Sequence, residues 1–366
     1  MNNFVVAATR SMKKYASTVS SYLEGAPAFS EFAGDINGEN MLSVRSFADG
    51  EMEVSVEYSI RGRDIILFTS CSRNEAGIPV NEAKVELYHS VDALMRAQAK
   101  SITVFEPYIS CSRSDRTTRR NSVGLWVHFK TLTSLGVKRI VTYQLHSKIS
   151  QSMLDPSVCS LDDIHAMSLL EKYLCDNYIL NRKTLMETVR PNWAFCSVDA
   201  GGENHTKDFA NAFGARMVVA HKQRDYSRPN DVISTNILSA EPLEGKILWI
   251  VDDMVDTAGS IERLVHALEP HNPAEINLIA VHAPFSPDAD EKLNNLKNRG
   301  LLNRIIVTDT VFPYPEGKMP HIEIVPSAKM SSDIVSTLVL NKSMGKLMTL
   351  FNAEEHFRSP DLLNLC

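Results

Sequence analysis

Residues 250–260, IVDDMVDTAGS, bring three carboxylates and two hydroxyls into one short stretch. Ahead of them, Lys246–Val251 (KILWIV) is an apolar run after Gly245, the pattern of a buried strand. From Ser260 onward, SIERLVHALE repeats its apolar residues at helical spacing. The small and hydroxyl residues between the two make a tight turn. Such a strand–loop–helix junction aims backbone N–H groups and a helix N-terminus at one point, which is a seat for phosphate. Acids at the end of the strand suit a ribose diol or a magnesium ion. A phosphate seat beside a diol or metal seat implies a phosphorylated sugar.

Four further strand ends carry reactive types. In AFCSVDAGG (194–202) an apolar strand ends in Asp199 and runs into Gly201 and Gly202, which permit close approach of backbone to a ligand. Asp199 would bind a metal or a ribose hydroxyl. In HKQR (221–224), Lys222 and Arg224 alternate along a strand end and project the same way. Two such cations could neutralise a transferring phosphoryl group, Arg by bidentate contact and Lys as a mobile point charge. YISCSRSDRTTRR (108–120) concentrates Arg113, Arg116, Arg119 and Arg120 in one loop, a candidate lid over a polyphosphate. His146 closes RIVTYQLH, where a neutral imidazole can ligate metal, and Asp155 is a possible partner across a loop.

These sites need a frame of alternating strands and helices, and the sequence has one. Strands are expected at Ile65–Ser70, Ile102–Tyr108, Arg139–His146, Trp193–Asp199, Arg216–Lys222, Lys246–Asp253, Ile276–Ala283, Arg304–Asp309 and His321–Pro326. Helices are expected at 5–22, 81–98, 122–135, 162–178, 203–213, 260–269, 287–299 and 331–351. Alternation of this kind predicts an α/β protein with mainly parallel sheets flanked by helices. The stretch 155–192 shows no obvious strand and is read as the region of the domain boundary. The last fifteen residues have little pattern.

With 366 residues the chain suits two domains of roughly 150 residues each. Apolar content of 44% and charged content of 22% are those of an ordinary globular protein. A net charge of −6 argues against general nucleic-acid binding while leaving room for a local basic pocket. The six cysteines are scattered without a CxxC pair, which fits reduced thiols rather than a disulfide framework or zinc site. Residues 1–10 lack a signal-peptide core and no apolar run reaches membrane-spanning length, so a cytoplasmic protein without membrane partners is expected.

Taken in order, these motifs resemble the ribose-phosphate pyrophosphokinases (PRPP synthetases) over roughly residues 40 to 350. FADGE (47–51) looks like the family's FxDGE segment. RGRDIILFTS (61–70), VDALMRAQAKSITVFEPYISCSRSDR (91–116), VDAGG, HKQR and VDDMVDTAGS follow in the family's order. Phosphoribosyltransferases share only the last of these. The resemblance implies two phosphoribosyltransferase-like domains, residues 1–165 and 166–330, with the active site between them and a segment 331–366 folding back on the first. It implies Mg²⁺-dependent transfer of the diphosphoryl group of ATP to ribose 5-phosphate. ATP would meet Arg113, Ser114, Asp115 and Arg116, with Phe47, Asp49, Gly50 and Glu51 reaching across from a neighbouring subunit. His146 and Asp199 would hold the metal. Lys222 and Arg224 would stabilise the transferring group. Asp252, Asp253 and Asp256 would meet the ribose, and Thr257, Ala258, Gly259 and Ser260 would cradle its 5-phosphate. A homo-oligomer is implied, a hexamer built from dimers or a dimer.

Four departures from the family pattern stand out. RQDR is RSDR here, DLH is QLH at Gln144, KRR is KQR at Gln223, and TGGT is TAGS. Three rival expectations stand beside the synthetase: the same chemistry on a larger acceptor such as ADP-ribose, a non-catalytic regulatory homologue, or a phosphoribosyltransferase that consumes PRPP, against which the N-terminal half and HKQR argue.

Overall fold

Fifteen strands form three sheets in a computed structural model describing residues 4–32, 36–38, 40–117, 119–198, 201–224, 232–311, 319 and 321–358. At 30–32, 222–224, 232–234, 287 and 346 the description covers the backbone alone. The first sheet is built from β1 (Phe4–Ala8), β2 (Asn37–Gly38), β5 (Asp64–Phe68), β6 (Ser101–Phe105), β7 (Arg139–Tyr143) and β8 (Ser160–Ile164). Its order is β2-β1-β5-β6-β7-β8, and every pairing is parallel. A separate antiparallel hairpin joins β3 (Leu42–Ser46) to β4 (Met52–Val56). The second large sheet contains β9 (Trp193–Ser197), β10 (Arg216–Arg224), β11 (Val232–Leu238), β12 (Ile247–Met254), β13 (Glu275–His282), β14 (Arg304–Thr308) and β15 (Ile322–Val325). Its order is β11-β10-β9-β12-β13-β14-β15, parallel except for the β10–β11 edge.

The inner strands are unbroken apolar runs. β5 (DIILF), β6 (SITVF) and β7 (RIVTY) each bury every residue after the first. Such strands need cover on both faces, which parallel sheets obtain from their crossover helices. The principal helices are α1 (Lys13–Glu24), α2 (Val80–Arg96), α3 (Gly124–Ser134), α4 (Met167–Tyr178), α5 (Glu203–Phe213), α6 (Gly259–Leu268), α7 (Pro287–Asn298) and α8 (Ala328–Val339). In α6 the buried residues Ile261, Leu264, Val265 and Leu268 fall at the i, i+3, i+4, i+7 spacing of one helical face. Among the described residues no helix is long and apolar enough to cross a membrane. Cys71, Cys111, Cys159, Cys175 and Cys196 are free thiols.

Three expected elements come out differently. Residues 4–8 form a strand of the first sheet, between β2 and β5, all five buried, and the helix begins only at Lys13. The segment 155–192 does hold a strand: SLDDI (160–164) is the first sheet's edge, where half-buried acids replace the apolar signature of an inner strand. The helix expected over 331–351 stops at Val339, where Asn341 turns left-handed (φ 51°), and a 3-10 turn follows at Met344–Met348.

One core joins the two large sheets. Phe68, Phe105 and Tyr143 from the first share a buried cluster with Phe195, Trp249 and Val281 from the second, and residues of α1, α4, α5 and α8 fill it. The Tyr15 hydroxyl lies 2.7 Å from both Ser327 Oγ and Ser331 Oγ, and the Tyr143 hydroxyl 2.6 Å from Ser331 Oγ.

Candidate active site

β9 and β12 are neighbours in the second sheet, yet the chain leaves β9 towards β10 on one side and reaches β13 on the other. That is a topological switch point, and the crevice beyond the carboxyl ends of its strands is where open α/β sheets bind ligands. Val251 pairs with Ser197, the last residue of β9, so Asp252, Asp253 and Met254 run past the end of β9 on that side, with Asp252 and Met254 still paired to β13 on the other.

The loop after β12 is pinned to the segment after β13. Val255 N–H donates to His282 O (2.9 Å), Phe285 N–H to Val255 O (3.1 Å) and Ser286 N–H to Asp256 O (2.9 Å). Ala258 then takes a left-handed conformation (φ 55°) and α6 starts at Gly259 with no side-chain cap. The first amides of a helix have no intrahelical acceptor and carry the positive end of the dipole, so this turn is ready for an anion. An alanine in the left-handed region is strained by about 1–2 kcal/mol. Ala258→Gly is therefore expected to stabilise the fold by about 1 kcal/mol, read as a rise in urea midpoint at unchanged slope. A midpoint that falls would show that Ala258 contributes packing worth more than the strain.

The first half of the chain brings its own strand ends to this turn. Gln144, just past β7, has φ 43°, and its N–H donates to Ile164 O of β8. Two residues on, His146 Nδ1 lies 2.8 Å from Asp253 Oδ2. The hydrogen bond to Asp253 holds the His146 imidazole above its ordinary pKa, and burial opposes the shift. Burial pushes the Asp253 carboxyl up, but the hydrogen bond and charge of His146 outweigh it and leave the group below the usual carboxylate range. From the loop after β6, Arg113 Nη1 reaches Asp256 Oδ2 at 2.6 Å, while Ser286 Oγ donates to the other oxygen of the same carboxylate. His146 and Arg113, both from the first half, thus meet Asp253 and Asp256 of the second.

The other sequence-predicted residues are placed as follows. Ser114 Oγ accepts from Gly124 N–H at 2.9 Å, so its hydroxyl is engaged with the start of α3. Asp115 and Arg116 lie beside each other at 4.0 Å, Arg116 exposed. Thr257 is exposed, and Ser260 is half-buried in the first turn of α6. Asp252 Oδ1 accepts from Asp253 N–H at 2.9 Å. Phe47, Asp49, Gly50 and Glu51 form the exposed tip of the β3–β4 hairpin, turned at Gly50 (φ 92°). Asp199 lies outside the described residues, as do the side chains of Lys222 and Arg224; the backbone of both cations belongs to β10, paired with β11. Asp155 does not partner His146: its carboxylate accepts from Ser157 N–H (2.9 Å) and Ser157 Oγ (2.6 Å).

Several groups at the crevice were not named as site residues from the sequence, Gln144 having stood out only as a departure from the family pattern. Gln144 Nε2 lies 3.2 Å from His205 Nδ1 of α5, which turns the amide at the first sheet's strand end towards the second half of the chain. His282, at the end of β13, is wholly buried, with Nδ1 2.8 Å from Thr310 Oγ1 and Nε2 3.0 Å from Tyr143 O. A histidine ending an apolar strand was the visible signal, the same one that marked His146. Arg263 and Lys292 reach the turn at 257–260 from α6 and α7. The i+3 spacing of Arg263 from Ser260 was legible; Lys292 meets the turn only through the fold.

Comparison with known proteins places the chain in a family. The family model for the N-terminal domain of ribose phosphate pyrophosphokinase matches residues 4–136, and that for the phosphoribosyl transferase domain matches 179–306. The ribose-phosphate pyrophosphokinase of Fusobacterium nucleatum is 30% identical over 328 residues, covering 89% of this chain and 95% of its own. The chain belongs to the ribose-phosphate pyrophosphokinase family. The Bifidobacterium longum ribose-phosphate pyrophosphokinase is 32% identical over 80% of each chain. In fold, the crystal structure of phosphoribosylpyrophosphate synthetase from Mycobacterium smegmatis superposes with a TM-score of 0.76 at 23% identity, over 93% of this chain and 99% of that one. The two-domain α/β architecture of the family is the one described above.

Proposed function

We propose that this enzyme transfers the β,γ-diphosphoryl group of ATP to the anomeric hydroxyl of ribose 5-phosphate, yielding AMP and PRPP. The observation that carries the reading is the meeting of His146 with Asp253 and of Arg113 with Asp256, directly beside an uncapped helix start. Residues 1–165 supply the nucleotide side of the crevice and 166–330 the ribose-phosphate side.

The anomeric hydroxyl attacks the β-phosphorus in line with the leaving AMP oxygen. Phosphoryl chemistry of this kind asks the protein for positioning and charge neutralisation rather than covalent work. Asp252 and Asp256 orient the ribose. The amides at 257–260 hold the 5-phosphate. Lys222 and Arg224 meet the charge that builds on the transferring group. Arg113, anchored on Asp256, links the nucleotide loop to the ribose loop. The hairpin tip at 47–51 is exposed in its own chain, which supports its service to the nucleotide site of a neighbouring copy in a homo-oligomer.

Magnesium suits this donor set. Among the described residues no three His, Cys, Asp or Glu side chains are arranged to hold a metal. Mg²⁺ keeps several waters and is usually held through one or two carboxylates plus substrate phosphates, so a sparse protein site fits it. His146 and Asp199 are the residues that would hold it, with Asp253 fixing the His146 imidazole, and when bound it would neutralise phosphate charge. The test is to supply ATP, Mg²⁺ and ribose 5-phosphate and follow AMP and PRPP together. Stoichiometric formation of both supports the reading; no AMP above the acceptor-free rate overturns it.

A further inference from the structure

Two cations border the phosphate turn, and the family motif accounts for neither. Lys292 Nζ, from the second turn of α7, donates to Thr257 O at 3.2 Å. Arg263 Nη2, from α6, donates to Ser260 Oγ at 3.4 Å. A Cβ built on Gly259 would lie 3.7 Å from Arg263 Nη1 and 3.9 Å from Lys292 Nζ. Cα–Cβ bonds tilt towards the N-terminus of a helix, which brings Arg263 back over the first turn of its own helix, while Lys292 reaches the same turn from α7. Among the described residues neither cation makes an ion pair with a carboxylate, although Glu262 and Glu291 are their chain neighbours. Arg113, the other cation near this turn, is already matched by Asp256.

The charge count is specific. The turn itself offers neutral amides, two hydroxyls and the partial positive end of one helix dipole. Arg263 and Lys292 add two full positive charges with no carboxylate to offset them. A terminal phosphomonoester carries close to two negative charges above its second pKa of about 6 and presents three oxygens. Each phosphate inside a diphosphate bridge carries one charge and has spent an oxygen on the bridge. The number of charges and the outward-facing donors both match the terminal monoester.

We propose that Arg263 and Lys292 are specificity residues of the acceptor site, closing over the outer oxygens of a sugar phosphate and selecting a terminal 5-phosphomonoester over an acceptor whose phosphate is bridged, such as ADP-ribose. This rests on the reading of 257–260 as the acceptor's phosphate seat. Lys292 releases Thr257 O and Arg263 releases Ser260 Oγ as the phosphate arrives, so the contacts in the free protein hold both side chains ready at the rim.

The experiment compares the wild type with Arg263→Ala, Lys292→Ala, the double variant and Lys292→Arg. Binding of ribose 5-phosphate and of ADP-ribose is measured by calorimetry, beside KM for ribose 5-phosphate, KM for ATP and kcat. A charge-assisted contact is worth roughly one factor of ten or somewhat more. Each alanine variant is expected to weaken ribose 5-phosphate about tenfold and the double variant about a hundredfold, with KM for ATP within twofold and Lys292→Arg recovering most of the loss. ADP-ribose should bind the wild type at least tenfold more weakly than ribose 5-phosphate, and the double variant should narrow that gap. Unchanged ribose 5-phosphate binding in the double variant at an unchanged melting temperature overturns the proposal, as does a wild type that binds ADP-ribose as tightly. Should ribose 5-phosphate bind in an Arg263- and Lys292-dependent way without any AMP release, the acceptor-site assignment stands and the diphosphoryl-transfer reading falls.

Discussion

Replacing Lys222 by alanine is expected to lower turnover by about 10²–10³-fold while leaving the melting temperature unchanged. The argument is one of position along a strand. Val219 of β10 pairs with Ser197, the last residue of β9, and β10 continues to Arg224 with β11 as its partner. Lys222 is therefore three residues past the carboxyl end of β9, about 10 Å further along β10 at strand rise, and still paired with β11. Asp253 overruns the same end by two residues on β12. From that level of the strand the proposed role of Lys222 is to meet charge that grows in the transition state. Removal of one such donor typically costs about 3–4 kcal/mol of barrier. The effect should fall on kcat at saturating ATP, Mg²⁺ and ribose 5-phosphate. Lys222→Arg should recover only part of it, since a planar guanidinium and a point-like ammonium meet phosphate differently. Turnover of Lys222→Ala within tenfold of the wild type would remove the residue from the mechanism.

The second large effect concerns His282. Its Nε2 faces only the carbonyls of Tyr143 (3.0 Å) and Gln144 (3.3 Å), so that nitrogen carries the proton and Nδ1 accepts from Thr310. Burial pushes its pKa down to about 4 from the ordinary 6.5, against the pull of Asp253 and the two carbonyls. The unfolded chain thus binds a proton in a range where the folded chain does not. The stabilisation is complete above pH 6.5 and is lost as pH falls towards 4. By linkage the loss amounts to about 2 kcal/mol at pH 5 and about 3 kcal/mol in full. Urea midpoints taken from pH 7.5 to 5 should fall more steeply in the wild type than in His282→Gln, which has nothing to titrate there. His282→Leu leaves both carbonyls without this donor and should cost about 3 kcal/mol already at pH 7.5. Parallel pH slopes in the wild type and His282→Gln would refute the assignment.

Much of the second sheet could be read from the sequence because its strands are long apolar runs ending in acids or turn residues. Trp193–Ser197, Ile247–Met254 and Glu275–His282 announce both their type and their reactive ends. Other elements were hidden for physical reasons. FVVAA at the start is a buried strand of only five residues with a helix close behind it, and so short an apolar run does not distinguish a strand from the first turn of that helix. SLDDI is an edge strand, held by one neighbour and only half-buried, and its acids read as a loop. The candidate site divides the same way. Its phosphate turn is local and therefore visible. The partners that complete it are not: His146 meets Asp253 across 107 positions, and Arg113 meets Asp256 across 143. Asp155 looked like the natural partner of His146 because proximity in sequence is all a sequence offers.

The clasp between the two halves has a consequence for motion. Arg73 donates from the first half to the carbonyls of Ala283 (2.8 Å) and Pro284 (2.5 Å), His282 ties the second half to the end of β7, and Ser331 is shared by Tyr15 and Tyr143. Behind these contacts Phe68, Phe105, Phe195 and Trp249 belong to one continuous apolar core. A hinge between the sheets would have to break that core with every catalytic cycle. With that core shared, the two halves are expected to move together and to melt in one cooperative transition, and neither is expected to stand if expressed alone. Entry of substrate and release of product then fall to short segments at the rim of the crevice, so turnover can be tuned by loop substitutions that leave the scaffold untouched.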